Sequence, residues 1–123
     1  MKTDARVKYT KMVLKKALLE LMQRKPINKI TVKEVCERAE LNRATFYAHY
    51  SDCFDLLESI EEDLFGQFER SMQDYVQSFD IARLVDGLYR IVQENEEVCR
   101  VLLFGRRSTE LIHRMIKIGR AHV

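Results

Sequence analysis

The sequence predicts an all-α protein in which a three-helix helix-turn-helix domain (residues 1–52) is followed by part of a helical bundle (residues 53–123). Two observations predict this fold class. Apolar residues recur at three- and four-residue steps along nearly the whole chain, which is typical of amphipathic helices. Only four glycines and one proline occur among 123 residues, which leaves few turns for a fold of many strands.

The first predicted helix spans residues 4–24. Its apolar positions recur mostly at helical steps between or beside lysines, and they are Tyr9, Val13, Leu14, Ala17, Leu18 and Leu21. The helix is expected to end before Pro26, because the residue that precedes a proline disfavours the α conformation. Ile27 and Ile30 follow in the connection, and we expect both side chains to turn back onto the core.

Two short helices are predicted next. The hydroxyl of Thr31 can cap the first free amides of a helix, and Glu34 completes a capping box three residues later. Asn42 is a suitable N-cap for a third helix over Arg43–His49. This arrangement has the spacing of a helix-turn-helix, although an ordinary helical hairpin has similar spacing. The residues expected to face the core are Val32, Val35, Cys36, Ala39, Phe46 and Tyr50.

The rest of the chain predicts four more helices. A long fourth helix is predicted over residues 53–78 behind the Ser51-Asp52 cap, and a fifth follows Asp80. The last two are predicted over residues 97–104 and from the Ser108 cap onward. The apolar stripe of the fourth helix, which is more often core than a ligand site, comprises Phe54, Leu57, Ile60, Leu64, Phe68, Met72, Tyr75 and Phe79. The stripe of the fifth comprises Ile81, Leu84, Val85, Leu88 and Val92.

Charge is distributed unevenly, although the formal net charge of the chain is only +2. Residues 1–52 have twelve Lys and Arg against six Asp and Glu, residues 53–99 have three against twelve, and residues 100–123 have six against one. The basic N-terminal block suits a polyanion, with the acidic part facing elsewhere. Charge alone favours neither of two interpretations, a surface that binds nucleic acid or an ordinary solvated surface.

The sequence offers no pattern typical of an enzyme, a metal site or a membrane protein. The three cysteines lie far apart in apolar helical patterns, where a free cysteine is usually a small buried hydrophobe: Cys36, Cys53 and Cys99. No Ser/Cys-His-acid set, glycine-rich phosphate loop or cluster spaced for a metal is present. There is no apolar run of about eighteen residues and no signal-peptide pattern. We therefore expect a cytoplasmic protein without a cofactor.

Residues 31–57, TVKEVCERAELNRATFYAHYSDCFDLL, carry the most specific pattern. It resembles the N-terminal domain of the TetR/AcrR family of regulators, whose pattern is a Thr-capped helix, a short turn with a polar cap, and a helix ending in Tyr-x-His-Phe. The resemblance covers about residues 8–60, and the matching positions are Thr31, Ala39, Leu41, Asn42, Thr45, Phe46, Tyr47, His49, Tyr50, Asp52, Leu56 and Leu57. The variant Leu-Asn-Arg-x-Thr-Phe-Tyr-x-His-Tyr is similar to the branch that includes regulators of dihydroxyacetone kinase operons.

The resemblance implies a recognition helix that presents its N-terminal residues to base edges in the major groove. Arg43 could bridge guanine O6 and N7, Thr45 could donate to a base or phosphate, and small Ala44 permits close approach. By resemblance, Tyr47 and His49 clamp backbone phosphates, whereas in isolation each would be interpreted as a structural residue. The start of the second helix suits another phosphate. The predicted DNA-binding residues are thus Thr31, Lys33, Asn42, Arg43, Ala44, Thr45, Tyr47 and His49.

Two positions depart from the family pattern. Glu40 stands in the turn where the family usually has glycine, so a left-handed conformation there is strained, and the side chain adds a negative charge near DNA. Cys53 stands where the family often has a phosphate-binding lysine at the start of the fourth helix. Both departures predict weaker DNA affinity without loss of function.

Beyond residue 60 the resemblance is one of architecture only. In the family, the C-terminal helices enclose an inducer pocket, and the last two form a dimeric four-helix bundle. The chain stops before those two helices, so we expect a truncated product whose apolar faces are partly uncovered. A pocket for a small-molecule effector would be lined by Phe65, Phe68, Met72, Tyr75, Leu88, Tyr89 and Phe104, although a plain helical core explains the same residues.

The function expected from the resemblance is that of a repressor which binds a double-stranded DNA operator as a homodimer under the control of an effector. Recognition helices about 34–36 Å apart would reach successive major grooves, and a tilt of the fourth helix would change their separation. The alternative is a helical protein-interaction module with a vestigial helix-turn-helix, favoured by Glu40, by the absence of lysine at position 53 and by the missing dimer helices. Salt dependence separates the two, because phosphate contacts weaken steeply as salt is added.

Overall fold

The computed structural model describes residues 2–103, 105 and 108–122, and this part of the chain is helical with no strand, which confirms the all-α fold class. Two compact units are formed, Met1–Ile60 and Glu61–Val123. The domain boundary predicted after residue 52 stays a prediction. The elements are α1 (Lys2–Met22), a 3₁₀ turn (Ile27–Lys29), α2 (Val32–Ala39), α3 (Arg43–Tyr47), α4 (Cys53–Ser78), α5 (Ile81–Glu94), α6 (Glu96–Val98), a π-helical segment (Cys99–Leu103) and α7 (Ser108–His122).

The first unit is built around the apolar side of α1. Leu14 of α1, Val35 of α2 and Phe46 of α3 are all completely buried. Removing each such side chain from water contributes about 1.5–3 kcal/mol. The connection after α1 adds the two isoleucines that the sequence predicts to face the core, Ile27 and Ile30. Three helices thus share one core, as a helix-turn-helix domain requires.

A capping box begins α2, as the sequence predicts. The Thr31 hydroxyl oxygen accepts from the Glu34 amide at 3.1 Å, and the Glu34 carboxylate accepts from the Thr31 amide at 3.1 Å. Lys25 donates to the same carboxylate. These hydrogen bonds, that from Lys25 first, lower the pKa of Glu34. The box therefore satisfies two amides that have no partner in an uncapped helix.

The turn between α2 and α3 contains one left-handed residue. Glu40 has φ 57° and ψ 42°, a conformation that costs a residue with a Cβ atom about 1–2 kcal/mol. The chain reversal allows the Leu41 amide to donate to the Cys36 carbonyl at 3.0 Å, which satisfies a free carbonyl at the end of α2. The left-handed conformation inferred for position 40 is therefore present.

The beginning of α4 is fixed by a second reciprocal cap. The Asp52 carboxylate accepts from the Asp55 amide at 2.8 Å, and the Asp55 carboxylate accepts from the Ser51 amide at 2.9 Å. The two leucines that follow, Leu56 and Leu57, are at most 1% exposed. This cap sets the phase of α4, so that its leucine pair enters the core of the first unit.

The second unit has a smaller core, which α4, the π-helical segment and α7 supply. Leu64, Leu102 and Leu111 are at most 2% exposed. Asn95, at the end of α5, is also buried and exchanges hydrogen bonds with Gln67 of α4, at 2.9 and 3.4 Å. This amide pair fixes the end of α5 against α4 and leaves neither side-chain amide without a partner.

Polar contacts also connect α7 to α4 within the second unit. Arg114 donates to Glu62 at 3.2 Å, and its guanidinium carbon lies 4.2 Å from the centre of the Phe65 ring. His122 approaches Glu69 at 3.4 Å. Exposed pairs of this kind contribute little each, about 0.2–1 kcal/mol. The position of α7 therefore depends mainly on its buried leucine rather than on these pairs.

The π-helical segment is a widened turn between α6 and α7. Its hydrogen bonds span five residues instead of four, and Val101 and Leu102 from it are buried. Gly105 follows, and a Cβ atom there would collide with the carbonyl oxygen of Val101. Glycine is consequently required at this position.

Several predicted helix boundaries are wrong. α1 spans Lys2–Met22 rather than residues 4–24, and α3 ends at Tyr47 rather than at His49. The predicted helix over residues 97–104 is instead a single α turn followed by the π-helical segment. Helix ends lack half of their hydrogen bonds, so apolar periodicity locates them poorly.

Some apolar residues that the stripes assign to buried faces are exposed. Tyr9 of α1 is 60% exposed, Phe54 of α4 is 51% exposed, and Phe79 is 78% exposed with φ 53°. No residue of α5 is buried. Periodicity identifies the apolar face of a helix but not whether another element covers that face.

The three cysteines are free and buried, as predicted, and they are Cys36, Cys53 and Cys99. Burial raises the pKa of each thiol, and that of Cys53 to about 11. The thiols are therefore protonated at neutral pH and are poor nucleophiles. Among the described residues no cluster of three or more metal-ligating side chains occurs.

We expect Thr31→Ala to lower the free energy of unfolding by about 1 kcal/mol. The Glu34 amide loses its acceptor in this variant, while the core of the unit is unchanged. Urea unfolding followed by circular dichroism measures the loss. Thr31→Ser keeps the hydroxyl and should unfold like the wild type. Equal destabilisation by both substitutions would contradict the capping role.

We expect Glu40→Gly to raise the free energy of unfolding by up to about 1 kcal/mol, because glycine adopts φ 57° without a Cβ clash. The same urea experiment measures the change. Glu40→Gln removes the charge but keeps the Cβ atom, so it should leave stability nearly unchanged. If Gln stabilises as much as Gly, the gain comes from charge and not from the backbone.

We expect the folded protein to react slowly with Ellman's reagent at mildly alkaline pH, because its thiols are buried and protonated. Addition of guanidinium chloride should release three reactive thiols per chain. The absorbance of the released thiolate measures both rates. Rapid reaction of all three thiols in the folded protein would contradict their burial.

Candidate nucleic-acid interface

A side-chain cap begins α3. The side-chain oxygen of Asn42, Oδ1, accepts from the Thr45 amide and from the Thr45 hydroxyl, both at 2.8 Å. This cap leaves Arg43 and Ala44, the first two helical residues, exposed to solvent together with Asn42. Thr45 is half-buried, and its hydroxyl proton is engaged, so its oxygen would meet a ligand as an acceptor.

Two adjacent aromatic residues of α3 have opposite environments. Phe46 is completely buried, whereas Tyr47 is 55% exposed and packs edge-on against Phe46, with ring centres 5.5 Å apart. Just after α3, His49 is half-buried beside Tyr50, with ring centres 6.3 Å apart. The arrangement holds the Tyr47 ring from one edge and leaves more than half of its surface for a ligand. His49 offers a smaller surface.

The start of α2 presents the Lys33 ammonium group and the Thr31 hydroxyl, which is already hydrogen-bonded to Glu34. Besides accepting from Glu34, the Thr31 hydroxyl lies 3.2 Å from the Glu34 carboxylate, to which it can donate. A carboxylate therefore already lies at the N-terminus of α2. Lys33 is exposed and has no ion-pair partner in the part of the chain that the structure describes. A phosphate contact at this end would depend chiefly on the Lys33 ammonium group.

The first unit is the basic one of the two. It has twelve Lys and Arg against eight Asp and Glu, a formal charge of +4, whereas the second unit has nine against eleven, a charge of −2. Lys25 and Arg38 are neutralised in ion pairs with Glu34 and Glu20. Arg43 has no such partner among the described residues, so its guanidinium group is available to a polyanion.

The predicted DNA-binding residues occupy two places in the first unit. Five lie in or next to α3 with exposed or half-exposed side chains, and they are Asn42, Arg43, Ala44, Thr45 and Tyr47. His49 follows α3, and two more, Thr31 and Lys33, lie at the start of α2. Lys25, which lies nine residues before Glu34, is a partner that the sequence pattern did not indicate. The capping-box pattern itself could have indicated that the Thr31 hydroxyl is already engaged.

The two departures from the family pattern lie in different environments. Glu40 is exposed in the turn just before α3, so its carboxylate adds negative charge at the surface next to Asn42. Cys53 is only 4% exposed. Its thiol packs in the core and offers no group to a phosphate.

The seven residues predicted to line an effector pocket differ widely in exposure. Phe65 and Met72 are 4% and 7% exposed, whereas Tyr89 is 64% exposed. Phe68, Tyr75 and Leu88 are half-buried, and Phe104 lies outside the described residues. The set therefore includes both core and surface positions of the second unit.

A polar cleft of about 480 Å³ lies between α4 and α5. Arg83 and Asp74 form an ion pair across it at 2.9 Å. None of the six described pocket residues lines this cleft. Its charged lining consists of Arg70, Asp74, Arg83, Asp86, Arg90 and Glu94. Such a surface suits a charged ligand better than the apolar ligand that the seven residues would bind.

Helices that could cross a membrane were not found in the described part of the chain. No solved structure matches the chain. An uncharacterized HTH-type transcriptional regulator, YxbF, of Bacillus subtilis (strain 168) is 32% identical over 71 residues. The match covers 58% of this chain but only 19% of the Bacillus protein.

Residues 14–60 match the family model described as bacterial regulatory proteins, tetR family. The matched segment begins within α1 and ends within α4, so it contains the caps that begin α2, α3 and α4, the left-handed turn and all of α3. A transcriptional regulator of this kind is normally not an enzyme. The helix-turn-helix domain that residues 14–60 form is thus similar to the tetR family of bacterial regulatory proteins.

Proposed function

We propose that the chain is a sequence-specific transcriptional repressor of the cytoplasm that binds a double-stranded DNA operator. The single observation that supports this best is the surface of α3, where exposed Arg43 and Tyr47 flank small Ala44 in a unit of charge +4. Helix-turn-helix proteins place such a helix in the major groove. We propose residues 1–52 as the DNA-binding domain and residues 53–123 as part of the regulatory domain.

In this proposal, base recognition rests on the first residues of α3. Arg43 extends from the N-terminal end and forms two hydrogen bonds with guanine O6 and N7. Ala44 has no side chain long enough to keep the helix away from the base edges. The side chains of Asn42 and Thr45 are hydrogen-bonded to each other in the cap. They therefore position the helix and offer only acceptor oxygens to the DNA.

Phosphate contacts position the protein in the same proposal, and they carry no sequence information. The Tyr47 hydroxyl donates to one phosphate and His49 approaches another. Lys33 supplies the charge at the start of α2, with Thr31 beside it. The Glu40 carboxylate repels the DNA phosphates, and position 53 lacks a lysine. We therefore expect a modest affinity for DNA that depends strongly on salt.

We propose that regulation lies in the second unit. The protein would act as a homodimer whose binding to the operator responds to a small-molecule effector. The residues proposed for the effector are the seven predicted from sequence: Phe65, Phe68, Met72, Tyr75, Leu88, Tyr89 and Phe104. An effector would have to bind the conformation that binds the operator and the conformation that does not with different affinities. Equal affinity for both would leave the equilibrium between them unchanged.

A helical protein-interaction module is the second candidate. The exposed apolar residues of α5 favour it, because exposed apolar faces often mark protein contacts. The Glu40 carboxylate beside α3 also favours it, because a negative charge weakens binding to DNA. The two candidates differ in ligand, so one titration separates them.

We expect the wild type to bind fluorescent duplex DNA from the region upstream of its own gene, with an affinity that falls steeply as salt rises. Tyr47→Ala should weaken binding by about tenfold through loss of a phosphate contact and of the ring. Tyr9→Ala removes another exposed tyrosine of the same unit and is the matched control. Fluorescence anisotropy measures all three proteins.

Further variants separate base contacts from phosphate contacts. Arg43→Ala should cost about 1–3 kcal/mol and relax preference at one base pair, whereas Lys33→Gln should weaken binding to all sequences and reduce the salt slope by about one. Absence of DNA binding at low salt, with every protein folded by circular dichroism, would refute the proposed function for this chain.

A further inference from the structure

The polar cleft between α4 and α5 has an ion pair at one end and an amide pair at the other. Asp74 and Arg83 are paired at 2.9 Å close to the turn that joins the two helices. Towards the other end, Gln67 exchanges hydrogen bonds with Asn95 at 2.9 and 3.4 Å. Between these pairs the antiparallel helices border a cleft of about 480 Å³, a volume within the range of small-molecule sites.

The two walls of the cleft approach each other closely in the middle. Gly87 of α5 faces Ser71 of α4, and a Cβ atom on Gly87 would lie only 3.0 Å from Ser71 Oγ. The Ser71 side chain makes no hydrogen bond among the described residues, so its hydroxyl can donate to a ligand. Groups from both walls are therefore within reach of one small molecule.

Four charged side chains of the cleft have no ion-pair partner in the part of the chain that the structure describes. They are Arg70 on α4 and Asp86, Arg90 and Glu94 on α5. Asp86 and Glu94 lie four residues before and after Arg90, a spacing at which oppositely charged side chains often pair on a helix. No such pair is formed here, so the cleft presents unpaired charges of both signs.

We propose that this cleft binds a small zwitterion, a molecule with a carboxylate at one end and an ammonium group at the other. Arg70 and Arg90 donate to the carboxylate from opposite walls, and the Ser71 hydroxyl is a further donor. The carboxylates of Asp86 and Glu94 accept from the ammonium group. The ligand thus completes the charge pairs that the protein leaves open.

This site is separate from the residues proposed for an effector. None of those that the structure describes lines the cleft. The site also belongs to the second unit alone, whereas the helices proposed to bind DNA belong to the first. The inference therefore goes beyond the proposed function and does not rest on operator binding.

The balance of charge favours a zwitterion over a simple anion or a simple cation. The lining has three arginines and three acidic residues, of which Arg83 and Asp74 neutralise each other. A simple anion would pair with the remaining arginines but would be repelled by two carboxylates, and a simple cation would be repelled by two guanidinium groups. A ligand that carries both charges avoids either repulsion.

The spacing of the charges along α5 indicates the length of the ligand. Asp86, Arg90 and Glu94 succeed one another at four-residue steps, which is about 6 Å along the helix axis. A short ω-amino acid such as 4-aminobutyrate separates its two charges by a similar distance, whereas the charges of glycine are closer together. Ile91 is the one apolar side chain among the described lining residues, so a large apolar body would find little to contact.

Binding of such a ligand would strengthen the attachment of α5 to α4. No residue of α5 is buried, so this helix is held to α4 largely by the polar pairs at the two ends of the cleft. A zwitterion that contacts both walls adds further connections between the helices. Because a ligand that binds only the folded state stabilises it, the melting temperature of the protein should rise with ligand concentration.

Isothermal titration calorimetry of the full chain without DNA tests the proposal. 4-Aminobutyrate should bind more tightly than butyrate or butylamine, each of which lacks one of its charges, by at least about tenfold. Arg90→Gln and Glu94→Gln should each weaken its binding by a similar factor. Arg120→Gln and Glu96→Gln remove the same charges from exposed positions of the second unit outside the cleft, and they are the matched controls.

Glycine is titrated as a second zwitterion with a shorter separation of charge, and circular dichroism confirms that each variant is folded. A preference for a zwitterion that both cleft variants reduce and both controls preserve supports the proposal. Equal binding of butyrate and 4-aminobutyrate overturns it, because the acidic residues then take no part. Absence of binding by both zwitterions overturns it as well, and so does binding that the cleft variants leave unchanged. Because no DNA is present, failure of the operator proposal leaves these results unaffected.

Discussion

The turn at residues 40–42 is the constraint on which the surface proposed to bind DNA depends. Glu40 takes the left-handed conformation that reverses the chain, and Asn42 then caps α3 two residues later. A different backbone conformation at Glu40 would change the direction in which α3 starts. The stabilisation from both caps and from buried Phe46 must therefore exceed the strain at one glutamate. In the proposed complex, the caps would hold the surface that meets the bases in one conformation, which limits the entropy lost on binding.

Local chemistry was the part of the fold that the sequence predicted well. Thr31 with Glu34, and Asn42 alone, are caps whose donors and acceptors lie within three residues of each other, so the pattern contains the whole interaction. The left-handed turn at Glu40 was also recognisable from its position. The end of α3 was not, because a short helix ends where tertiary packing stops supporting it.

Contacts between distant residues could not be predicted in the same way. The pattern of α5 indicates an amphipathic helix, but the small Gly87 and Ser71 bring its other side against α4. Likewise, Phe54 and Leu57 belong to the same apolar stripe of α4, and only the three-dimensional arrangement exposes one and buries the other. Pocket residues depend on several helices at once, which no single periodic pattern describes.

The widened turn over Cys99–Leu103 has a consequence for how the chain can vary in length. A π-helical turn is an α-helix that accommodates an additional residue locally. Removing one residue there would restore an α-helical turn while Leu102 and Leu111 could keep their buried places. The second unit thus has, in this segment, a point at which a change of one residue in length is absorbed without a shift of the core. Length differences among relatives should concentrate at this segment rather than along α4.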